Sequence, residues 1–216
     1  MIRWHTCAVH ERPLTNDDPP TRTPITIGLI VLCTAAFFVD ATLDHQLLEM
    51  FALWPLTGPF APWQLLTHMF LHGSPEHLFF NMYGFYLFGS PIERAVGRYR
   101  YVLLIGTGAL TAGLVQLLAN AIEQSAAATV GASGALFGLL YVFARLFPKA
   151  RIVPLIPPIP MPAWLFVLLY ALVELYLGFS QADTQIAHFA HLGGLLGGFL
   201  VFAGWRLISR RRQLPP

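Results

Sequence analysis

A serine set among small residues is the first part of this sequence that could do chemistry. Ser133 lies in the run Gly131-Ala132-Ser133-Gly134. Small residues are common where membrane helices pack, and a serine can hydrogen-bond to its own helix, so packing alone accounts for the run. The predicted position at a helix N-terminus adds a second possibility, because the free backbone N–H groups there can stabilise a developing oxyanion.

A histidine among glycines is the second feature. His191 lies in the run Ala190-His191-Leu192-Gly193-Gly194. An ionisable side chain inside a membrane helix is costly and is a functional-site hypothesis, with a neutral histidine bonded to a neighbouring helix as the alternative. Because a histidine can take the proton of a serine hydroxyl, Ser133 and His191 could form a nucleophile and its base. Small residues would permit the close helix approach that this needs: Gly131, Gly134, Gly138, Gly194 and Gly198.

A histidine and an asparagine one helical turn apart form the third feature. His77 and Asn81 occur in the run His77-Leu78-Phe79-Phe80-Asn81, and a spacing of four puts both side chains on one helix face. Both can donate hydrogen bonds. They either pack across helices as polar side chains or complete an oxyanion site that one backbone N–H cannot form alone.

Four histidines could be imagined as metal ligands: His68, His72, His77 and His188. No HExxH sequence occurs, and the acidic residues do not cluster with these histidines along the chain. The sequence therefore predicts no metal site.

Three acidic residues lie in or near apolar stretches. Glu174 is the one acid deep in a predicted span, and neither it nor His188, one turn before His191, is given a role. Asp40 and Glu93 lie near the ends of predicted spans, where we expect the membrane interface to solvate them.

The composition indicates a membrane protein. Of the 216 residues, 56% are hydrophobic and 11% are charged, against roughly 45–50% apolar and 25% charged in soluble domains. A crossing takes about 20 residues, so six crossings with short loops would nearly fill the chain. The formal charge of +2 is too small to indicate a nucleic-acid-binding surface.

Six apolar stretches are predicted to cross the membrane as helices, several of them short: 25–43, 77–93, 101–119, 131–148, 163–179 and 187–208. The stretch 47–71 is also apolar, but Pro55, Pro59 and Pro62 would break a spanning helix. We expect it to form a loop that lies in the interface on the outer side of the membrane.

The positions of the basic residues support this count independently. Short cytoplasmic loops are enriched in Lys and Arg, and six spans with a cytoplasmic N-terminus put all 13 basic residues on that side. The outer segments 44–76, 120–130 and 180–186 contain none. Because the fourth and sixth spans then run in the same direction, Ser133 and His191 are predicted to share one depth, about one to two turns below the outer surface.

The three motifs together resemble those of the rhomboid family of intramembrane serine proteases. In that family a GxSG serine on the fourth helix pairs with a histidine in an AHxxG segment of the sixth, while an HxxxN on the second supplies oxyanion contacts. Here these are GASG, AHLGG and HLFFN. The resemblance extends over residues 60–205 and departs at Gln64, because many relatives have arginine after the tryptophan at this point.

The resemblance implies an all-α, six-helix membrane bundle with both termini in the cytoplasm. It also implies a catalytic dyad of Ser133 and His191, and an oxyanion site formed by the Ser133 backbone N–H, His77 and Asn81. The expected substrates are transmembrane proteins, single-pass ones above all, cut within or beside the lipid bilayer, and no cofactor is expected.

Three segments are predicted along the chain. Residues 1–23 form an N-terminal cytoplasmic segment without a cleavable signal peptide, residues 24–208 the membrane domain, and residues 209–216 a basic cytoplasmic tail. The compact length favours a bacterial inner membrane. A six-helix transporter or channel and an inactive rhomboid-like protein that binds membrane clients are the alternative functions, and the sequence does not indicate an oligomeric state.

Overall fold

The computed structural model describes residues 22–154, 157–180 and 186–211, and these form a helical bundle. The helices, in chain order, are α1 Pro24–Thr42, α2 Gln46–Phe51, α3 Gln64–Thr67, α4 Pro75–Gly84, α5 Ser90–Val96, α6 Arg98–Glu123, α7 Ser133–Leu146, α8 Ala163–Ser180 and α9 His188–Arg211. A 3₁₀ turn, His68–Phe70, follows α3, and a π-helical stretch, Phe85–Gly89, joins α4 to α5. Two short strands, β1 Arg151–Ile152 and β2 Met161–Pro162, pair antiparallel. The predicted segments 1–23 and 209–216 lie largely outside the described residues.

Four of the described helices are long and apolar enough to cross a membrane: Pro24–Thr42, Arg98–Glu123, Ala163–Ser180 and His188–Ser209. The prediction of an all-α membrane protein is therefore confirmed at the level of class. The other two predicted spans differ in form. Helix α7 has 14 residues, or about 21 Å against the ~30 Å of a hydrocarbon core, and the second predicted span consists of α4, the π-helical stretch and α5. The count of six spans stays a prediction.

Helix α8 has the burial pattern expected of a helix surrounded by lipid. Its buried residues are Ala163, Glu174 and Gly178, whereas large apolar side chains such as Trp164 and Phe179 are exposed. In water this arrangement would be unfavourable, but in a hydrocarbon solvent exposed apolar side chains cost little, and polar and small residues gather between helices. The pattern supports the membrane assignment independently of helix length.

Close backbone approaches join α9 to two of the helices that it packs against, α6 and α7. A Cβ added at Gly194 or Gly198 would overlap the carbonyl oxygens of Gly134 or Gly138 on α7. Because the residue numbers increase in the same direction in the pairs Gly134–Gly194 and Gly138–Gly198, α7 and α9 run parallel. On the α6 side, Gly193 faces Thr111 while the later Gly197 faces the earlier Gly108, so α6 runs antiparallel to α9.

The long segment between α1 and α4 contains only short helices, as predicted for a stretch interrupted by prolines. Leu53 and Thr129 exchange two backbone hydrogen bonds of 2.9 Å, which tie this segment to the one before α7. The buried Gln64 side chain holds the segment together: its Oε1 accepts from the backbone N–H groups of Trp54 and Ala61, and its Nε2 donates to the carbonyls of Met50 and Pro59. The glutamine that departs from the family pattern is therefore fully used in the loop.

Glu93 joins the start of α1 to α5 and is only 2% exposed. One carboxylate oxygen accepts from the N–H of Ile25 at 3.0 Å, and the other accepts from the N–H and hydroxyl of Thr26, both at 2.8 Å. The Tyr101 hydroxyl on α6 lies 2.9 Å from the same Thr26 hydroxyl. The expectation of a solvated interface residue was wrong for Glu93, because the free N–H groups at the N-terminus of α1 need an acceptor.

Asp40 is also buried, so the same expectation was wrong there. Its Oδ2 lies 2.9 Å from His45 Nδ1, and its Oδ1 accepts a hydrogen bond of 3.1 Å from the backbone N–H of Leu48. These contacts fix the turn from α1 into α2. Both acids thus serve helix ends rather than the lipid–water interface.

The substitution Glu93→Gln is expected to destabilise the fold by about 2–3 kcal/mol, because a charged acceptor of three hydrogen bonds becomes an amide with one oxygen. The measurement is the unfolding midpoint of the purified protein in detergent. Tyr101→Phe is the control, since it removes one hydroxyl at the far end of the same network and is expected to cost about 1 kcal/mol. An unchanged midpoint in Glu93→Gln would contradict the role assigned to this carboxylate.

Candidate active site

Ser133 is the first residue of α7 and is half-buried. The chain enters the helix through Gly131, whose φ of +119° is strained for any residue with a side chain. The Gly131 N–H donates a hydrogen bond of 3.0 Å to the carbonyl of His68, which anchors the turn to the preceding loop. As the first helical residue, Ser133 has a backbone N–H without a partner inside its own helix.

His191 lies in the first turn of α9, and its Nε2 is 2.8 Å from Ser133 Oγ. The imidazole stacks on the ring of Phe137, with centroids 4.3 Å apart and planes inclined by 8°. Phe137 lies one turn after Ser133 on α7, so one helix carries both the hydroxyl and the ring that fixes the plane of the imidazole. The spacing of four between Ser133 and Phe137 was the available signal in the sequence for this contact.

Glu174 reaches the same site from α8, although the sequence showed no third carboxylate for it. Its Oε1 lies 2.9 Å from His191 Nδ1, at an angle too poor for a well-formed hydrogen bond, and its Oε2 lies 2.6 Å from His188 Nδ1. All three side chains are buried. The signals in the sequence were an acid deep in an apolar stretch and a histidine three residues before His191, but neither indicated a contact between two helices.

His77 and Asn81 lie on α4, beside the entrance to α7. A Cβ added at Gly131 would lie 2.6 Å from His77 Nε2, so the glycine makes room for this ring. The buried Asn81 donates its amide Nδ2 to the carbonyl of His77 at 2.9 Å, within its own helix. Among the described residues, no hydrogen bond joins His77 or Asn81 to the Ser133 hydroxyl.

His72 packs edge-on against His77, with ring centroids 5.1 Å apart. Burial, and to a smaller extent the neighbouring His77, lowers the pKa of His72 to about 3. The ring is therefore uncharged at physiological pH. His72 contributes shape to the site rather than charge.

Four of the five predicted packing glycines lie where α7 and α9 meet, next to the serine and the histidine. Gly134 and Gly138 on α7 face Gly194 and Gly198 on α9, and we call these four residues the glycine interface. Gly131 lies in the turn before α7 instead. Because Gly134 follows Ser133 directly and Gly194 follows His191 by one turn, the approach of the two backbones sets the distance between the two side chains.

One group of described residues has the composition of a metal site. Glu174, His188 and His191 each offer a ligand atom, and these atoms lie within 4.8 Å of one another. Two histidines and a carboxylate form one of the ligand sets of catalytic zinc sites. The group differs from the four histidines considered in the sequence, sharing only His188 with them.

Fold and site together define a helical membrane protein in which a serine and a histidine meet at the first turns of two parallel helices. The chain belongs to the rhomboid family: the family model described as "Rhomboid domain" matches residues 59–209. This match includes every residue of the site described above.

Curated relatives carry related names. The chain is 27% identical over 195 residues to "Rhomboid protease GlpG" of Klebsiella pneumoniae, covering 88% of this chain and 66% of that protein. It is 30% identical over 141 residues to "Putative rhomboid protease YdcA" of Bacillus subtilis, covering 64% and 65%. It is 31% identical over 154 residues to "Rhomboid protein 1, mitochondrial" of Saccharomyces cerevisiae, covering 69% and 44%. The chain thus spans 44% to 66% of the length of these relatives.

Proposed function

We propose that this protein is an intramembrane serine endopeptidase, which hydrolyses peptide bonds within or next to the transmembrane segments of other membrane proteins. The observation that carries the proposal is the 2.8 Å contact between His191 Nε2 and Ser133 Oγ inside an apolar bundle. Membership of a family with relatives named as proteases supports it. Packing alone would require no such contact between two reactive side chains.

The proposed reaction proceeds in two steps. Ser133 Oγ bonds to the scissile carbonyl carbon while its proton passes to His191 Nε2; the carbon–nitrogen bond then breaks as Nε2 returns the proton to the leaving amine. In the second step a water oxygen attacks the acyl carbon as a water proton passes to Nε2; the bond between that carbon and Ser133 Oγ then breaks, and Nε2 returns the proton to Oγ as the acid product leaves. Phe137 supports both steps because its stacked ring holds the imidazole plane.

The oxyanion is proposed to bind the backbone N–H of Ser133 together with His77 and Asn81. The N–H of a first helical residue is free for this purpose. Because the Asn81 amide donates to the His77 carbonyl in this structure, its second N–H would serve the oxyanion, or the side chain would rotate when substrate binds. The missing side chain of Gly131 leaves room for the His77 ring beside the turn that leads into Ser133.

Asn81→Ala is expected to lower kcat by about 10²–10³-fold with little change in KM, because the lost donor acts on the transition state. The measurement is steady-state cleavage of a model transmembrane substrate. Tyr83→Phe is a suitable control, since Tyr83 is exposed on the same helix. A kcat within about twofold of wild type in Asn81→Ala would remove Asn81 from the proposed oxyanion site.

We further propose six spans in the membrane domain 24–208, with the N-terminal segment 1–23 and the tail 209–216 in the cytoplasm. The distribution of basic residues supports this orientation, and the antiparallel run of α6 against α7 and α9 is consistent with alternate crossings. In this orientation Ser133 and His191 open to the outer side. A bacterial inner membrane is the proposed location.

The proposed substrates are single-pass transmembrane proteins. A helix in lipid holds its carbonyls in its own hydrogen bonds, so a segment must unwind before Ser133 can reach a peptide bond. Gly, Ser or Pro near the cut would favour unwinding, because these residues have lower helix propensity than alanine. The proposed chemistry needs no cofactor, because His191 itself moves the proton.

The deciding experiment uses the purified chain in liposomes with a model single-pass substrate. Wild type and Ser180→Ala, in which an exposed serine of α8 is removed, are expected to cleave it, whereas Ser133→Ala is expected to be inactive. Cleavage that survives in Ser133→Ala would overturn the proposal. Solute flux through the liposomes without cleavage would identify a transporter instead, and binding without cleavage an inactive client-binding protein.

A further inference from the structure

Glu174 is a buried carboxylate of the site that the proposed reaction does not use. It is 5% exposed and lies on α8, whose other side chains are mostly apolar and exposed to the surroundings. Carrying a carboxylate into such a helix is costly unless the charge has partners. The two partners that the structure provides are both imidazoles of α9, and one of them is the histidine that contacts Ser133.

The two carboxylate oxygens face different rings. Oε1 lies 2.9 Å from His191 Nδ1, and Oε2 lies 2.6 Å from His188 Nδ1. Because the other ring nitrogen of His191 contacts Ser133 Oγ at 2.8 Å, serine, histidine and carboxylate follow one another in a row. In serine hydrolases of unrelated folds a carboxylate at Nδ1 keeps the proton on that nitrogen, which leaves Nε2 free to accept the serine proton.

We propose that Glu174 is a positioning residue for His191, so that the working unit is Ser133, His191 and Glu174 rather than a serine and a histidine alone. This inference rests on the proposed protease function. Glu174 holds the Nδ1–H tautomer of the ring and stabilises the imidazolium that forms when Ser133 loses its proton. It does not itself take the proton.

His188 has a separate part in this arrangement. It lies one turn before His191 on the same helix, and its short contact with Oε2 fixes the second oxygen of the carboxylate. With Oε2 held, Oε1 remains directed toward His191. The poor alignment at His191 Nδ1 calls for a small rotation of the ring, and such contacts commonly tighten when substrate binds.

The test measures kcat and KM separately for the purified chain in liposomes. Glu174→Gln keeps the shape but loses the charge, and we expect kcat to fall at least about tenfold, with the ~10⁴-fold loss known for orienting carboxylates as the upper bound. KM is expected to stay within about twofold. Glu174→Asp is expected to recover part of the loss, whereas Tyr176→Phe, at an exposed residue of the same helix, is expected to match wild type.

Three results would overturn the inference. The first is a Glu174→Gln protein that folds, with a kcat within about twofold of wild type while Ser133→Ala is inactive; this removes Glu174 and leaves the protease proposal intact. The second applies if Glu174→Gln does not fold: a wild-type kcat in Glu174→Asp would then assign Glu174 to stability rather than to the positioning of His191. The third is wild-type cleavage that a chelator abolishes and zinc restores, which makes Glu174, His188 and His191 metal ligands.

Discussion

Alanine at Ser133, at His191 or at both positions is expected to cause the same loss of peptide cleavage, about 10⁴–10⁶-fold. The two residues form one unit, because the serine proton has nowhere to go without the histidine and the histidine has no nucleophile to activate without the serine. The 2.8 Å contact between Oγ and Nε2 is the structural reason for expecting this coupling. Two independent contributions would multiply instead, so that the double variant would be far less active than either single variant.

The measurement is the initial rate of cleavage for the four proteins of this double-mutant cycle. A fluorophosphonate probe gives a second readout, since it is expected to label wild type and not Ser133→Ala. The thermal midpoints of all four proteins are compared as the control for folding. They are expected to be equal for wild type and Ser133→Ala, because Ser133 is only half-buried and alanine is expected to leave the fold intact. A His191→Ala protein that cleaves at the wild-type rate would contradict the proposed base.

Gly194→Ala is expected to unfold the protein or to abolish cleavage, because the new methyl group would overlap the backbone carbonyl of Gly134. No rotamer change can relieve an overlap with backbone, so α7 and α9 must separate. Overpacking of a side-chain core costs about 1–3 kcal/mol, and a backbone clash is expected to reach or exceed the upper end of that range. Separation of the helices would also draw Ser133 away from His191.

Gly204→Ala is the matched control for this prediction. It lies later on the same helix, and nothing lies within 4 Å of a Cβ added there. Alanine is expected to stabilise a helix by about 1 kcal/mol relative to glycine where space allows. For Gly204→Ala the unfolding midpoint in detergent should therefore rise while the cleavage rate stays at the wild-type value, whereas both are expected to fall for Gly194→Ala. A Gly194→Ala protein with wild-type stability would contradict the packing described here.

The elements that position the site follow from local patterns in the sequence. Apolar stretches predicted the long helices, and the three prolines correctly excluded a span at 47–71. The depth shared by Ser133 and His191 was inferred from the predicted spans and the distribution of basic residues, and the structure brings the two side chains together through parallel helices. Apolar periodicity and the positions of charged residues suffice to predict these features, because each pattern can be read from one stretch of sequence at a time.

The contacts between distant segments could not be predicted in the same way. Glu174 and His191 are 17 positions apart on two helices, and nothing in either helix indicates which face turns toward the other. Glu93 was misjudged for a similar reason, because its partners Ile25 and Thr26 lie near the start of the chain. A buried acid and a solvated acid look alike in sequence, and only the free N–H groups of the distant helix end distinguish them.

The glycine interface also has a thermodynamic consequence. A side chain that becomes buried between helices loses rotamer freedom, at a cost of up to about 2 kcal/mol for the long flexible residues, but glycine has no side-chain rotamers to lose. Helices α7 and α9 therefore pack against each other without that entropic penalty, and the geometry around Ser133 and His191 depends on two rigid main chains. Changes of side-chain conformation at the glycine interface cannot alter the distance between these two main chains, because the glycines have no side-chain rotamers.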